Sequence, residues 1–153
     1  MNLISKILLP NQILLDNESS SKKRVFERVG LLFENNQQIA RSTVFDSLFA
    51  REKLGSTGLG QGVAIPHGRI AKLRDATAAF VKTGNPIPFD APDGLPVNLI
   101  FVLLVPERAT DLHLQILGEL AQMFSDSNFR EQLNASDDTA AIHQLFYQWS
   151  ASA

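Results

Sequence analysis

Histidine is the residue of this 153-residue chain whose chemistry best suits group transfer near neutral pH, and the chain contains three of them. A neutral imidazole can act there first as a nucleophile and then as a leaving group. His67 lies between Pro66, which restricts the backbone and has no N–H group, and Gly68, which permits sharp turns. This context predicts a functional histidine that projects from the end of a strand. The alternative is a turn histidine whose ring is satisfied by backbone carbonyls.

A glycine-rich stretch lies directly upstream of His67 and contains Gly55, Gly58, Gly60 and Gly62. Main-chain amides in such a stretch can approach an anion closely, because no side chain stands in the way. The sequence therefore predicts a loop that presents an anion site beside an imidazole.

Two nucleotide-binding motifs come close to this stretch without matching it. Gly55 and Gly60 have the spacing of a P-loop, but Gln61 and Gly62 occupy the places of the phosphate-binding lysine and the magnesium-binding hydroxyl. The dinucleotide fingerprint fails as well, because its third glycine is misplaced and a helix is predicted where a strand should precede it. Neither a P-loop nor a dinucleotide site is indicated.

The elements that must position these residues are helices that precede, separate and follow short strands. Helical spacing of apolar residues predicts helices that begin at Ser20, at Ser42 or Thr43 and at Thr110, with two more over residues 128–133 and 137–149. Apolar runs predict strands at 13–15, 63–65, 77–83 and 87–89, and a central strand at 97–105. We expect one α/β domain over residues 1–153, with helices packed on a central sheet.

Composition narrows the class of protein further. The formal charge is −2 with both signs interspersed, so no basic face predicts nucleic-acid binding. The chain has no Cys, and two histidines without a carboxylate cluster make a poor metal site, so no metal is expected. The N-terminus does not resemble a secretory signal, and the longest apolar run is too short to span a membrane. A soluble, cytoplasmic protein without direct membrane insertion is expected.

The segment from Arg51 to Gly68 resembles the signature of phosphotransferase-system enzyme IIA domains of the mannitol/fructose type. Its nearest branch is the free-standing, nitrogen-related enzyme IIA. The stretch from Pro86 to Asp90, the strand end at 103–106 and the helix entry at His113 are similar to that family as well. The resemblance implies a three-layer α/β fold with a mixed sheet sandwiched between helices.

The resemblance also implies roles for individual residues. His67 matches the phosphorylated histidine of the family, with Nε2 as the acceptor atom. His113 matches a second, supporting histidine in the active site, and Arg51 matches an arginine near the phosphoryl group. The loop expected to line the phosphate pocket contributes Ser56, Thr57, Gly58, Gly60 and Gly62.

The function implied is that of a phosphotransferase that carries a phosphoryl group and needs no cofactor. The donor would be a phosphohistidine HPr-like protein, and the phosphorylation state would regulate partner proteins. By family analogy those targets include potassium-transport or sensor-kinase proteins. Two alternatives remain: a sugar-specific IIA component for fructose or mannitol, and a non-catalytic anion-binding or partner-binding module on the same fold.

Overall fold

A computed structural model describes residues 2–108 and 111–150 of the chain. Helices cover both faces of a six-stranded sheet in this part of the chain. The strands are β1 (Ile13–Asp16), β2 (Gly58–Gly60), β3 (Val63–Ala64), β4 (His67–Ile70), β5 (Thr77–Ile87) and β6 (Val97–Pro106). The helices are α1 (Leu3–Ile7), α2 (Lys22–Gln37), α3 (Arg41–Glu52), α4 (Asp111–Ser125), α5 (Ser127–Ala135) and α6 (Thr139–Gln148), with a 3₁₀ turn at Pro10–Gln12.

Strand β6 organises the sheet. It pairs antiparallel with β5, and β5 pairs in parallel with β1. On its other side β3 and β4 lie end to end, both parallel to β6, and β2 completes an antiparallel hairpin with β3. Parallel and antiparallel pairs therefore occur in one sheet, as the family resemblance implies. The prediction that the 97–105 run forms a central strand is confirmed.

Alternate residues of β6 enter two separate hydrophobic cores. Phe101 and Leu103 face a core that is closed by α1, α4, α5 and α6. Val102 and Leu104 face the opposite core, which is closed by α2 and α3. Because both faces of the strand are buried, its sequence shows no polar alternation. The three-layer α/β architecture is confirmed.

Several predicted boundaries are wrong, and their causes are local. Helix α2 is capped by Ser21, whose hydroxyl accepts from the Arg24 N–H, and not by Ser20. The predicted strands at 77–83 and 87–89 are not separate: β5 is continuous from Thr77 to Ile87, its register against β6 shifts after Lys82, and pairing resumes at Ile87. Residues 88–89 lie outside the strand. Thr110, the cap expected for α4, lies outside the described residues.

The start of α3 depends on a contact with the preceding helix. Neither Ser42 nor Thr43 caps this helix, because it begins earlier than expected, after Ala40. The carboxylate of Glu34 at the end of α2 accepts a hydrogen bond from the Arg41 N–H at 2.9 Å. The Glu34 side chain of the preceding helix thus takes the place of an N-cap side chain.

No helix within residues 2–108 and 111–150 combines the length and the apolar composition that crossing a membrane requires.

Candidate phosphoryl-transfer site

The His67 imidazole is held by a main-chain carbonyl. Its Nδ1 lies 3.0 Å from the Ile65 carbonyl oxygen, and the ring is half-buried. A carbonyl oxygen can only accept a hydrogen bond, so in the neutral ring Nδ1 carries the proton and Nε2 keeps its lone pair. The arrangement leaves the lone pair of Nε2 available.

The backbone geometry at Pro66 creates this contact. Strand β3 ends at Ala64, and the chain rejoins β6 as β4 at His67. Pro66 has no N–H group, yet its carbonyl still accepts from the Leu103 N–H at 2.9 Å. His67 therefore begins a strand, and the prediction that it ends one is wrong. The interruption of pairing leaves the Ile65 carbonyl oxygen within reach of the ring.

His67 and His113 lie on the same side of the sheet. His67 pairs in register with Leu103, whose side chain enters the core closed by α4. His113 is buried on the α4 stripe that also carries Ile116 and Leu120, and those residues pack into that same core. Neighbouring residues in register point to one face of a sheet, so both imidazoles belong to one layer.

His113 also lines a cavity of about 530 Å³ together with Arg74, Asp75 and Arg108. His67 is not part of that lining. The structure thus places His113 on the same face of the sheet as His67 and against this cavity at the start of α4.

Arg51 lies in the other helical layer. It is in the last turn of α3, half-buried, and its Nη1 donates to the Gly55 carbonyl oxygen at 2.9 Å. That bond accounts for one of the five N–H donors of the guanidinium. Helix α3 reaches β4 through Ser47, whose hydroxyl donates to the Arg69 carbonyl oxygen at 3.0 Å. Arg51 is therefore attached to the element that packs against the His67 strand.

The glycine-rich stretch, predicted as a loop, contains a β-hairpin in the structure. Strands β2 and β3 pair across a turn at Gln61 and Gly62. The Gly58 N–H donates to the Ser56 hydroxyl at 3.0 Å, and the Gln61 N–H donates to the Asp93 carboxylate at 2.9 Å. These amides already have partners. Gly62, with a φ of 79°, supplies the left-handed backbone conformation that the turn requires.

The hydroxyls of the stretch also have partners inside the protein. Ser56 donates to the Phe89 carbonyl oxygen at 2.5 Å, and Thr57 donates to the Glu52 carboxylate at 2.6 Å. Hydrogen bonds from the Gln61 and Leu95 N–H groups hold the pKa of Asp93 below its usual range. The carboxylate that binds the hairpin turn therefore stays ionised. A structural role is therefore established for both hydroxyls, and their contact with phosphate stays a prediction.

Sequence reasoning missed Glu52. Glu52 is only 7% exposed although it is the last residue of a helix, where negative charge is unfavourable. An acidic residue at the C-terminal end of a predicted helix was the feature of the sequence that could have identified it. His143 is half-buried, and its Nε2 lies 3.0 Å from the Leu8 carbonyl oxygen. Within residues 2–108 and 111–150 there is no group of three His, Cys, Asp or Glu side chains that could hold a metal ion.

Comparison with known proteins defines the class. Residues 6–149 match the family described as phosphoenolpyruvate-dependent sugar phosphotransferase system, EIIA 2. The chain belongs to this family, which takes part in phosphoryl transfer.

Its relatives include nitrogen regulatory proteins. The chain is 41% identical over 143 residues to the nitrogen regulatory protein of Pseudomonas aeruginosa, with 93% of each protein covered. A crystal structure of nitrogen regulatory protein IIA-Ntr from Neisseria meningitidis matches with a TM-score of 0.88 and 53% identity, covering 94% of this chain and 99% of that one. IIA mannitol from Escherichia coli shares the fold, with a TM-score of 0.72 at 19% identity, covering 88% of this chain and 95% of that one.

Proposed function

We propose that this chain is the phosphocarrier of a nitrogen-related phosphotransferase system and that His67 accepts the phosphoryl group on Nε2. The observation that carries the proposal is the 3.0 Å contact between His67 Nδ1 and the Ile65 carbonyl oxygen. It fixes the tautomer that a nucleophilic Nε2 needs. Membership of the EIIA family supports phosphoryl transfer as the chemistry.

The proposed step moves a phosphoryl group between two imidazoles. The P–N bond of a phosphohistidine in an HPr-like donor breaks while a P–N bond to His67 Nε2 forms, and the departing imidazole keeps the electron pair. The protein has to align the two imidazoles with the phosphoryl group and to stabilise the charge on the equatorial oxygens. It contributes little covalent chemistry of its own. After transfer both ring nitrogens of His67 carry a substituent, and the Ile65 carbonyl dipole stabilises the positive ring.

Two side chains are proposed to stabilise the transferring group. His113 lies on the His67 face of the sheet, in the first turn of α4, where a helix N-terminus favours negative charge. Arg51 keeps donors beyond the one that binds the Gly55 carbonyl oxygen, and a guanidinium fork suits phosphate. In this proposal His113 contacts the phosphoryl oxygens, and Arg51 supplies positive charge from the α3 side.

The regulatory part of the proposal rests on the relatives, which are named nitrogen regulatory proteins. A phosphoryl group adds nearly two negative charges and strong hydrogen-bond acceptors at a half-buried position. We infer that this change controls binding to regulatory partners. Potassium-transport and sensor-kinase proteins are the first candidates, by analogy with the nitrogen-related branch of the family.

The test is phosphorylation by a purified, phosphorylated HPr-like carrier. We expect an acid-labile, alkali-stable phosphate on the wild-type chain and none on His67→Ala. His143→Ala is the matched control, because His143 is also a half-buried histidine bound to a backbone carbonyl, and it should be labelled normally.

Other outcomes select the alternatives. A label that persists in His67→Ala contradicts the assignment of the acceptor. Failure of every phosphorylated donor to label a chain that still binds partners selects a non-catalytic module. Transfer onward to a fructose-specific or mannitol-specific IIB component selects a sugar-specific role.

A further inference from the structure

Glu52 is a buried acid in an unfavourable position. It ends α3, where the helix dipole opposes negative charge, and it is 7% exposed. Burying a carboxylate is strongly unfavourable unless it is paired and hydrogen-bonded. The contacts of Glu52 must therefore compensate for the burial of its charge.

The contacts of Glu52 come from two directions. Its carboxylate accepts from the Thr57 N–H at 3.1 Å and from the Thr57 hydroxyl at 2.6 Å. Lys22 of α2 donates to it at 2.8 Å, and the same ammonium lies 4.7 Å from the centre of the Phe89 ring. The carboxylate thus binds both polar groups of Thr57 while Lys22 balances its charge.

Thr57 leads from Glu52 to the imidazole. The Ile65 N–H donates to the Thr57 carbonyl oxygen at 3.0 Å, a bond that closes the open end of the β2–β3 hairpin. The Ile65 carbonyl oxygen is the atom that His67 Nδ1 contacts at 3.0 Å. Glu52 is therefore connected to the ring through Thr57 and Ile65, each residue bound to the next by a hydrogen bond.

We propose that Glu52 is a positioning residue for His67, acting through Thr57 and Ile65 to hold the carbonyl that selects the ring tautomer. Without the carboxylate, Thr57 loses two bonds, the hairpin end loosens, and the Ile65 carbonyl no longer has a fixed direction. The ring is then free to rotate and to place its proton on Nε2. The kinetic consequence rests on the function proposed for His67, but the tautomer itself does not.

The direct test is ¹⁵N NMR of the His67 ring at a pH where it is neutral. The wild-type chain should show the proton on Nδ1 and the lone pair on Nε2. Glu52→Ala should show a mixture of both tautomers, and its phosphorylation by an HPr-like donor should slow by about 10- to 100-fold, the range seen when outer partners of metal-binding histidines are removed.

The matched control is Asp16→Ala. Asp16 is a fully buried carboxylate that also binds turn amides and one cation, Arg28, but within the described part of the chain no hydrogen bond leads from it to His67. This variant should lose stability while keeping the His67 tautomer and the transfer rate. Glu52→Gln retains a hydrogen-bond acceptor of the same length and should restore most of the tautomer preference that Glu52→Ala loses.

A second variant covers the case in which Glu52→Ala does not fold. Glu52→Asp keeps the charge beside Lys22 but shortens the side chain by one methylene, which withdraws it from Thr57. It should shift the tautomer in the same direction. Retention of the Nδ1–H tautomer in folded Glu52→Ala or folded Glu52→Asp, with a rate equal to that of Asp16→Ala, would overturn the proposal. The tautomer is measured without a phosphoryl donor. A wild-type chain that no donor phosphorylates would therefore refute the proposed function, while the tautomer measurement would still decide whether Glu52 positions His67.

Discussion

Asp16 and Glu52 are two buried carboxylates of similar construction and different consequence. Asp16 ends β1, accepts from the Ser19 N–H at 2.9 Å and the Glu18 N–H at 3.0 Å, and pairs with Arg28 at 2.8 Å. Glu52 ends α3, binds Thr57 twice and pairs with Lys22 at 2.8 Å. Each carboxylate organises the turn that follows it and has a cation at its side.

The difference lies in what the organised turn is attached to. The Asp16 turn leads into α2, so its effect ends in the packing of a helix. The Glu52 turn leads into the hairpin that Ile65 closes, and Ile65 contacts the His67 ring. In our proposal, the Glu52 ion pair affects His67 through the backbone that it fixes. We expect stability measurements not to separate the two sites and phosphorylation of their variants to separate them.

The largest effect is expected from Gly68→Ala, next to His67. A Cβ at this position would overlap the Ser47 hydroxyl, which would have to turn away from the Arg69 carbonyl oxygen. It would also lie 3.2 Å from the Ser47 main-chain carbon, so α3 and β4 would have to shift apart by a few tenths of an ångström. We expect a loss of about 1–3 kcal/mol in the free energy of unfolding, typical of overpacking, and near-complete loss of labelling. Denaturant unfolding and phosphorylation assays measure both.

Gly118→Ala is the control for that substitution. Gly118 lies in α4, and no described atom outside its own helix turn lies within 4 Å of the point that an alanine Cβ would occupy. Alanine should therefore raise stability by up to about 1 kcal/mol and leave labelling unchanged. Normal labelling of Gly68→Ala would show that close packing of α3 on β4 is not needed to position His67.

The next effect is expected from His113→Ala. Loss of a preorganised donor to the transferring oxygens should slow phosphorylation by about 100-fold or more, as removal of an oxyanion-hole donor does. Circular dichroism should show an intact fold. An unchanged rate in a folded variant would exclude His113 from the site and assign it a structural role at the start of α4.

Arg51→Ala should have a smaller effect, because one guanidinium nitrogen already serves the Gly55 carbonyl oxygen. We expect phosphorylation to slow about tenfold, equivalent to one charged hydrogen bond of about 1.5 kcal/mol. Thermal unfolding of the same variant separates the two roles. A fall in melting temperature with an unchanged rate would assign Arg51 to structure alone.

The smallest effect on phosphorylation is expected from Asp16→Ala, although the fold should lose about 2–3 kcal/mol with its charged hydrogen bonds. Burial raises the pKa of Asp16, but the Ser19 and Glu18 amides and Arg28 together lower it below its usual value. A lowered folded-state pKa means that the contribution is present above about pH 4 and is lost as pH falls through the folded value. Unfolding curves below pH 4 should therefore converge for wild type and variant. Curves that stay parallel in acid would show that the ionised carboxylate contributes nothing.

The sheet and its helices were predictable because apolar periodicity reports burial directly. The continuous apolar run of β6 and the helical spacing of α4 and α6 each predicted an element within a few residues of its observed bounds. The hairpin was not predictable, because glycine permits both an open loop and a tight turn. The choice depends on Asp93, which is distant in sequence and binds the Gln61 N–H.

The sequence alone identified His67 as the candidate acceptor but did not predict the contacts that hold its ring. Pro66 and Gly68 singled out His67 from sequence alone. Its partner is a backbone carbonyl, which every residue possesses, so no side-chain pattern identifies Ile65 as the one that binds the ring. Glu52 was missed for a related reason, since its burial against Lys22 is a contact between separate helices.

The central claim is most directly tested by ¹⁵N and ³¹P NMR of the phosphorylated chain labelled with ¹⁵N-histidine. We predict that phosphorus is bonded to Nε2 of His67 while Nδ1 keeps its proton and its contact with the Ile65 carbonyl oxygen. Phosphorus on Nδ1 of His67, or on His113 or His143, would contradict it.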